Sequence, residues 1–253
     1  MIDRITEQPF CQARVMRSVL VNADSLDYMP TIQDKSIDFV CIDPPYELDN
    51  HGGGQNKEMK RQLNDLHIDF ISNGFDMEKV FTEIERVSKT MNMICFCSNK
   101  QVSKIMNYWE QKKYSVTLLV WQKSNPVPFG NGKYISDLEF MIYVRGKNAI
   151  YNNTGYANQL KTFNYPAPNS KARIHPTEKP IELLKRLIEI HSNKGSVVFD
   201  CFGGSFSTGL ACMELGRDFI GIEIDTQFYA QGKKRMEEKS KEKDFKQQTL
   251  FKD

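Results

Sequence analysis

The chain has 253 residues, of which 40% are hydrophobic and 26% are charged, and its net charge is +2. This length suffices for one sizeable α/β core with at most one inserted module. No apolar run approaches the ~18 residues needed to span a bilayer, and the N-terminus lacks the basic start and apolar core of a signal peptide, so we expect a cytoplasmic protein.

Strand and helix patterns alternate along the chain. Strands are predicted at residues 17–23, 38–43, 93–97, 116–121, 138–145, 196–200 and 219–223. Helices are predicted at 25–31, from 76, at 101–112, from 180, between 208 and 216, and from 226. The alternation is typical of a parallel sheet with crossover helices, and the short link into the strand at 138–145 favours an antiparallel hairpin. Residues 146–174 show no regular pattern.

The strand at residues 38–43 ends in Asp43-Pro44-Pro45-Tyr46. Two consecutive prolines remove two backbone donors and therefore end the strand. They leave a carboxylate, free carbonyls and an aromatic ring at the edge where open parallel sheets bind ligands. These acceptors suit a flat nitrogenous ring with an exocyclic amine. A simple turn capped by Asp43 explains the motif equally well when it is taken alone.

Two segments favour contact with a large polar substrate. Residues 47–75 are polar, contain Gly52-Gly53-Gly54 and follow the Asp43 motif directly, which favours a lid or substrate-contact loop. Residues 123–174 carry seven basic side chains against two acidic ones, interleaved with aromatic residues, as is typical of a nucleic-acid face. The candidates there for contacts with base edges or phosphates are Asn125, Asn131, Lys133 and Arg173.

The six cysteines show no C-x-x-C spacing. Four of them lie in or beside apolar strand and helix patterns, so we predict reduced thiols in the core. A zinc site is not expected.

A second motif unit lies far along the chain, where the strand at 196–200 runs into a glycine-rich loop and a helix. Glycines let the backbone approach a ligand, and the helix start offers free N–H groups. Glu223 ends the next strand, nineteen residues past Gly204, where an acid suits a pair of ribose hydroxyls. The chain lacks G-x-G-x-x-G and the P-loop pattern, so we predict a nucleoside cofactor other than a nicotinamide dinucleotide.

Three motifs occur in the order Asp43-Pro44-Pro45-Tyr46, His175-Pro176-Thr177-Glu178-Lys179-Pro180 and Asp200-Cys201-Phe202-Gly203-Gly204. Together they resemble the S-adenosylmethionine-dependent DNA amino-methyltransferases, which act on adenine N6 or cytosine N4, and the order is that of the family's β group. The resemblance spans roughly residues 17–235. It implies an α/β fold with a Rossmann-like, mostly parallel seven-stranded sheet, one antiparallel strand, a circularly permuted motif order and a small inserted target-recognition region.

The resemblance also divides the chain. Residues 1–122 are predicted to form the catalytic half of one domain, and residues 123–174 a hairpin with the target-recognition region. Residues 175–235 are predicted to form the cofactor-binding half, and residues 236–253 a charged C-terminal tail.

The same resemblance assigns roles to individual residues. Catalysis falls to Asp43, Pro44, Pro45 and Tyr46. Binding of S-adenosylmethionine falls to Asp24, Thr177, Lys179, Asp200, Phe202, Gly203, Gly204, Ser205 and Glu223. Within that set Asp24 contacts the adenine amine and Glu223 the ribose, while Thr177 and Lys179 close over the methionine end and the loop through Ser205 holds it.

The reaction needs an exocyclic amine whose lone pair is freed from its ring. If Asp43 and the Pro44 carbonyl accept the two amine hydrogens, direct displacement requires no metal and no covalent intermediate. The target base must first leave duplex DNA, and Tyr46 would stack on it. Within the family, Asp at the first motif position favours adenine N6. Cytosine N4 is the alternative, and methylation of RNA or protein is a weaker one.

Two positions depart from the family pattern, with Cys201 in place of a proline and Phe206 in place of a glycine. Phe206 is large enough to crowd the loop and weaken cofactor binding, although Gly204, where close approach matters most, is retained. A non-catalytic DNA-binding subunit of the same fold is therefore a further alternative.

The C-terminus carries a separate signal. Residues 233–246 are dense in both charge signs and are predicted to be a solvated helix end. The chain then reads Gln247-Gln248-Thr249-Leu250-Phe251, which resembles the short peptide that binds the bacterial sliding clamp. A disordered tail with two incidental apolar residues is the favoured interpretation, with clamp binding as the alternative. The family's β group also implies a possible homodimer.

Overall fold

A computed structural model describes residues 17–46, 75–128, 134–153, 155–169, 173–175 and 177–250, with the backbone alone for 243–250. The predicted loop at 47–75 therefore lies almost entirely outside the described residues. An eight-stranded sheet forms the centre of the described part. In this part of the chain no helix is long and apolar enough to cross a membrane.

The elements follow the predicted alternation. The strands are β1 (Ser18–Asn22), β2 (Phe39–Ile42), β3 (Asn92–Cys97), β4 (Ser115–Lys123), β5 (Leu138–Arg145), β6 (Thr162–Tyr165), β7 (Val197–Asp200) and β8 (Asp218–Glu223). The α-helices are α1 (Ser25–Tyr28), α2 (Met77–Val87), α3 (Asn99–Gln111), α4 (Ile181–His191), α5 (Ser207–Leu215) and α6 (Thr226–Leu250). Short 3-10 helices at Met29–Thr31 and Tyr156–Gln159 complete the set.

The strands lie in the order β1-β8-β7-β2-β3-β5-β4-β6. All neighbouring pairs are parallel except β3 with β5 and β5 with β4, so β5 alone runs against the rest. The predicted α/β fold with one antiparallel strand is confirmed, as is the hairpin of β4 and β5. The order also confirms the permutation, because β7 and β8 at the end of the chain lie between β1 and β2.

The predicted count of seven strands is wrong by one. The extra strand is β6, which pairs parallel with β4 inside the stretch that shows no regular sequence pattern. As an edge strand of four residues, Thr-Phe-Asn-Tyr, it buries only Phe163, so it leaves no apolar run to detect. Part of the predicted target-recognition region therefore belongs to the central sheet.

Helices cover both faces of the sheet because buried strand residues alternate between them. Val40 and Ile42 of β2 face α2 and α3, where Ile84 and Trp109 lie in the same hydrophobic cluster. Phe39 and Cys41 face a second cluster that contains residues of α4, α5 and α6. Because both faces of the sheet are covered, the carboxyl ends of the parallel strands form its open side.

The last helix crosses the predicted boundary between residues 235 and 236 without a break. Met236, the first residue past that boundary, is buried in the core, so the helix still packs against the sheet where the charged tail is predicted to begin. The backbone of residues 247–250 continues this helix, which contradicts a disordered start of the clamp-like peptide. Residue 251 lies outside the described residues.

Candidate active site

Four neighbouring parallel strands bring an acidic residue to the same edge of the sheet. Asp24 follows β1, Glu223 ends β8, Asp200 ends β7 and Asp43 follows β2, and these strands are adjacent in that order. Since adjacent strands lie about 4.8 Å apart, the row spans roughly 14 Å. The row matches the length of an extended nucleoside joined to an amino acid, and its negative charge suits a cationic ligand.

Asp43 lies at one end of this row with its two oxygens in different environments. Its Oδ2 accepts a hydrogen bond from the Lys179 ammonium at 2.5 Å. Its Oδ1 is buried and has no hydrogen-bond partner within the described part of the chain. A buried carboxylate oxygen without a donor is costly, so Oδ1 is an acceptor positioned for a donor that the chain does not supply.

The charges around Asp43 compensate one another. Burial raises the pKa of Asp43 above its ordinary value, although the Lys179 ammonium opposes this rise. Burial acts to lower the pKa of Lys179, but Asp43 and Glu139 outweigh it, and the pKa is raised. Lys179 is therefore an ammonium at neutral pH, and its side chain is only 5% exposed.

The residues after Asp43 are fixed by contacts with α3. Gln101 donates from Nε2 to the Pro45 carbonyl at 3.0 Å, and its Oε1 accepts from the Ser98 backbone N–H at 3.0 Å. The Gln101 side chain, which caps the N-terminus of α3, thus also fixes the Pro45 peptide. Tyr46 packs against the core and donates from its hydroxyl to Glu139 at 3.3 Å. Its ring is thereby set beside the Asp43 carboxylate.

Asp200, on the neighbouring strand, is engaged on both oxygens by its own loop. Oδ1 accepts from the Phe202 backbone N–H at 3.0 Å, and Oδ2 accepts from the Thr208 hydroxyl at 2.8 Å. Burial raises the pKa of Asp200 to about 7. Asp200 therefore shapes the glycine loop, and any contact with a cofactor would add to these two bonds.

The glycine loop is also bonded to Glu223 from the next strand. The Gly204 N–H donates to Glu223 Oε2 at 2.6 Å, and the Asp225 N–H donates to Oε1 at 2.8 Å. A carboxylate has about four acceptor sites, so Glu223 retains capacity for ribose hydroxyls. Gly204 has φ of +52°, which disfavours any side chain at this position.

The remaining predicted cofactor residues differ in their availability. Asp24 caps α1 by accepting from the Leu26 N–H at 2.8 Å and remains partly exposed at the edge. The Phe202 ring stacks edge-on against Phe75. Ser205 is buried with its hydroxyl 3.1 Å from that of Ser207, so only its backbone faces the loop.

Phe206 does not crowd the loop as expected from the sequence. Its ring is fully buried in the core, and its backbone takes a left-handed φ of +55°. A Cβ on Gly203 would lie 2.3 Å from the ring, one on Gly232 2.7 Å and one on Gly221 2.9 Å, so three glycines make room for it. The ring supports the loop from the core side, and the reason for a loss of cofactor binding falls away.

The segment around His175 lies over the glycine loop. The His175 ring stacks edge-on against Phe228 and would contact a Cβ on Gly204 at 3.6 Å. Burial lowers the pKa of His175 to about 4, so the ring is neutral at pH 7. Thr177 bonds this ring through its hydroxyl at 3.0 Å. Lys179, also predicted as a cofactor contact, is bonded to Asp43, and its contact with the cofactor remains a prediction.

The predicted DNA contacts have partners within the protein. Asn125 exchanges hydrogen bonds with the Ala167 backbone, and Arg173 donates to the Pro168 carbonyl at 2.8 Å. Asn131 and Lys133 lie outside the described residues. Contacts of all four with DNA remain predictions.

The described basic residues of 123–174 do not all lie together. Lys123, at the end of β4, reaches into the site through Glu139, whereas Arg145 ends β5 at the opposite end of the strands. Eight residues of an antiparallel strand span roughly 24 Å, so these two basic side chains lie far apart.

The sequence reasoning missed two residues of this site. Glu139 interrupts an apolar strand, and an acid at such a position signals a buried partner. Gln101 stands three residues after Ser98, which is the spacing of a capping box. Neither signal predicts the partner, because Gln101 bonds Pro45 and Glu139 pairs with Lys179, and both partners come from distant parts of the chain.

The described cysteines are all free and buried, which confirms the predicted core thiols. The part of the chain that the structure describes contains no group of three side chains able to hold a metal ion.

Comparison with known proteins gives consistent results. A family model described as DNA methylase matches residues 37–234. The chain is 26% identical to the DNA adenine methyltransferase YhdJ of Escherichia coli, covering 86% of this chain and 82% of that protein. It is 26% identical to the type II methyltransferase M2.MboI of Moraxella bovis, covering 91% and 92%. The crystal structure of the M1.HpyAVI complex with SAM aligns with a TM-score of 0.66 at 26% identity, covering 87% of this chain and 98% of that one.

Proposed function

The chain belongs to the N6/N4 DNA methylase family, and from this premise we propose that it methylates the N6 amine of an adenine in duplex DNA, with S-adenosylmethionine as the methyl donor. The observation that carries the proposal is the buried, unpartnered Oδ1 of Asp43 beside Pro44-Pro45-Tyr46. The name of the Escherichia coli relative, a DNA adenine methyltransferase, supports the choice of target.

The protein's part in the reaction begins with the amine. Asp43 Oδ1 accepts one of its hydrogens and the Pro44 carbonyl the other, which draws the nitrogen lone pair out of conjugation with the ring. The Tyr46 ring covers the face of the base once it has left the duplex. Because these acceptors are fixed before the substrate arrives, positioning supplies much of the rate.

S-adenosylmethionine, when bound, supplies an electrophilic methyl group on a sulfonium centre. The residues that would hold it are Asp24, Glu223 and the backbone of Gly203 and Gly204, and the row of acids suits its positive charges. The nitrogen that gains a methyl group must lose a proton. Asp43 Oδ1 already accepts a hydrogen from that nitrogen, and its raised pKa favours taking the proton.

The test is transfer of labelled methyl from S-adenosylmethionine to unmethylated genomic DNA, followed by digestion to nucleosides and mass analysis. We expect N6-methyladenine from the wild type and none above background from Asp43→Ala. N4-methylcytosine would replace the proposed target with cytosine. The absence of any methylated base, with S-adenosylmethionine and DNA both bound, would support the non-catalytic alternative.

Two proposals concern partners. The charged helix α6 runs into the clamp-like peptide at residues 247–251, so we propose contact with a sliding clamp, and a deletion of residues 247–253 that leaves clamp binding unchanged would refute it. We also propose a homodimer on the family's precedent, which sedimentation of the full chain would test.

Action on DNA supports the expected cytoplasmic location.

A further inference from the structure

A further carboxylate, outside the row of four acids, lies next to Asp43. Glu139, on the antiparallel strand β5, is 20% exposed. Its Oε1 lies 3.0 Å from the Lys123 ammonium. Its Oε2 lies 3.3 Å from the Lys179 ammonium and accepts from the Tyr46 hydroxyl at 3.3 Å. Glu139 therefore contacts the two side chains that flank Asp43.

The hydrogen bonds of Lys179 show what Glu139 does. An ammonium has three hydrogens, and those of Lys179 are directed at Asp43 Oδ2, the Thr177 carbonyl at 3.2 Å and Glu139 Oε2. With all three directions fixed, the ammonium cannot turn. It therefore holds Asp43 Oδ2 in place, while Oδ1 has no hydrogen-bond partner in the described part of the chain.

The strand geometry fixes Glu139 in turn. On β4, Trp121 is the register partner of Glu139, and the Lys123 N–H donates to the Asp137 carbonyl at 2.7 Å. The ammonium of Lys123 thus reaches Glu139 from the strand paired with β5. Two carboxylates and two ammonium groups balance in charge, as a half-buried network requires.

We propose that Glu139 is a positioning residue for methyl transfer, which orients Asp43 through Lys179 and sets the Tyr46 ring through its hydroxyl. The inference rests on the proposed function and adds a residue on β5 to it. It predicts that the charge and reach of Glu139 control the rate of the chemical step and leave cofactor affinity nearly unchanged.

The chain contains a matched control cluster. Glu85 on α2 bonds the Lys112 ammonium and accepts from the Tyr114 hydroxyl at 2.9 Å. Like Glu139, Glu85 bonds an ammonium and a tyrosine hydroxyl, but it has one lysine partner and lies on a helix that supplies no residue of the site. Glu85→Gln therefore removes an equivalent ion pair without touching Asp43.

The experiment compares Glu139→Gln, Glu139→Asp and Glu85→Gln in the full chain. It measures single-turnover methyl transfer to unmethylated genomic DNA, S-adenosylmethionine affinity by calorimetry, and thermal stability. A glutamine offers one acceptor oxygen and points its amide hydrogens at an ammonium or a hydroxyl. We expect Glu139→Gln to be roughly 10- to 100-fold slower with cofactor affinity within about threefold of wild type. The rate of Glu85→Gln should stay within about twofold of the wild-type rate.

The pH dependence separates positioning from a structural role. The charged and titratable groups that face Asp43 are Lys179, Glu139, Tyr46, Asp200, Cys41, Cys95 and Cys97. The charge of Glu139 raises the pKa of Asp43, so Glu139→Gln should move the acid limb of the rate profile to lower pH. Glu139→Asp retains the charge, so its limb should stay in place and part of the rate should return.

Several results would overturn the inference. One is a Glu139→Gln rate within twofold of wild type, and another is a loss of rate with an unmoved acid limb. If Glu139→Gln does not fold, a Glu139→Asp variant that folds and shows a shifted limb would count equally against it. A wild type that methylates no base would refute the proposed function itself, and this inference with it. If the wild type forms N6-methyladenine and Glu139→Gln does so at the same rate, the inference is refuted and the proposed function stands.

Discussion

Asp43 and Asp200 are the same residue type at the same edge of two adjacent parallel strands, yet they are left in opposite states. β2 and β7 pair directly, with Val40 opposite Phe199. Asp200 has both oxygens bonded within its own loop. Asp43 Oδ2 is bonded to Lys179, whereas Asp43 Oδ1 has no hydrogen-bond partner in the described part of the chain. One carboxylate shapes a loop, and the other awaits a substrate.

The residues that follow each acid explain the difference. Two positions after Asp200, the N–H of Phe202 folds back onto Oδ1. Two positions after Asp43 stands Pro45, which has no N–H to donate. The prolines thus deny Asp43 the local turn that satisfies Asp200, and an exocyclic amine can supply the missing donor.

The largest expected effect is a difference in the rate of methyl transfer between Asp43→Asn and Asp200→Asn. Asp43→Asn removes the charge that draws on the amine and should slow single-turnover methyl transfer by roughly 10²- to 10³-fold. Asp200→Asn keeps an acceptor for the Phe202 N–H and should cost less than about tenfold. Rates on unmethylated DNA at saturating S-adenosylmethionine give the comparison. Equal losses would mean that Asp200 also takes part in the chemical step.

Truncation of Asp200 should break the loop and leave the chemistry in place. Asp200→Ala strands the Phe202 N–H and the Thr208 hydroxyl, which costs about 1–3 kcal/mol for a buried donor left unpaired. We expect the free energy of unfolding to fall by that order and S-adenosylmethionine to bind roughly tenfold more weakly. Chemical denaturation and calorimetry measure the two effects. Thr208→Val, which removes one of the two bonds, should show a smaller loss, and unchanged affinity in both variants would contradict the assignment.

Removal of the ammonium beside Asp43 should change its titration. Lys179 lowers the pKa of Asp43, so Lys179→Gln should raise it further. Methyl transfer needs the ionised carboxylate, and its rate falls as the pH drops through that pKa. The acid limb of the single-turnover profile should therefore move to higher pH. A limb that stays in place would show that Asp43 and Lys179 are not coupled in solution.

The smallest effect concerns stability. Burial raises the pKa of Asp200 to about 7, well above the ~3.9 of an unfolded chain. The folded state then binds more protons between these two values, so wild-type stability falls as the pH rises from about 4 to 7. Asp200→Asn cannot titrate, and its melting temperature relative to wild type should rise by roughly a few degrees from pH 5 to pH 8. A difference independent of pH would mean that Asp200 is ionised in the folded protein throughout.

Much of this fold could be predicted because its strongest elements are local. The strands β2, β3, β5, β7 and β8 are apolar runs, and the motifs at their ends follow from single stretches of sequence. β6 could not be found this way, because an edge strand with one buried side chain has no pattern of its own. Its position depends on pairing with β4, which lies about forty residues earlier.

The same limit applies to the site. Phe206 was expected to obstruct the loop, and only the packed structure shows that Gly203 and Gly232 make space for its ring on the core side. The family motif assigns Lys179 to the methionine end of the cofactor. Only the structure shows that its ammonium also lies against Asp43, 136 residues earlier in the chain.

The sequence by itself determined which atoms around Asp43 are deprived of donors, because proline lacks an N–H in any fold. It also determined the order of the motifs and the acids that end the strands. Only the tertiary structure decided which charges surround Asp43, since Lys179 and Glu139 reach it across 136 and 96 residues of chain. Local chemistry is set by bonded neighbours, whereas the energy of a buried charge depends on partners that folding alone brings within reach.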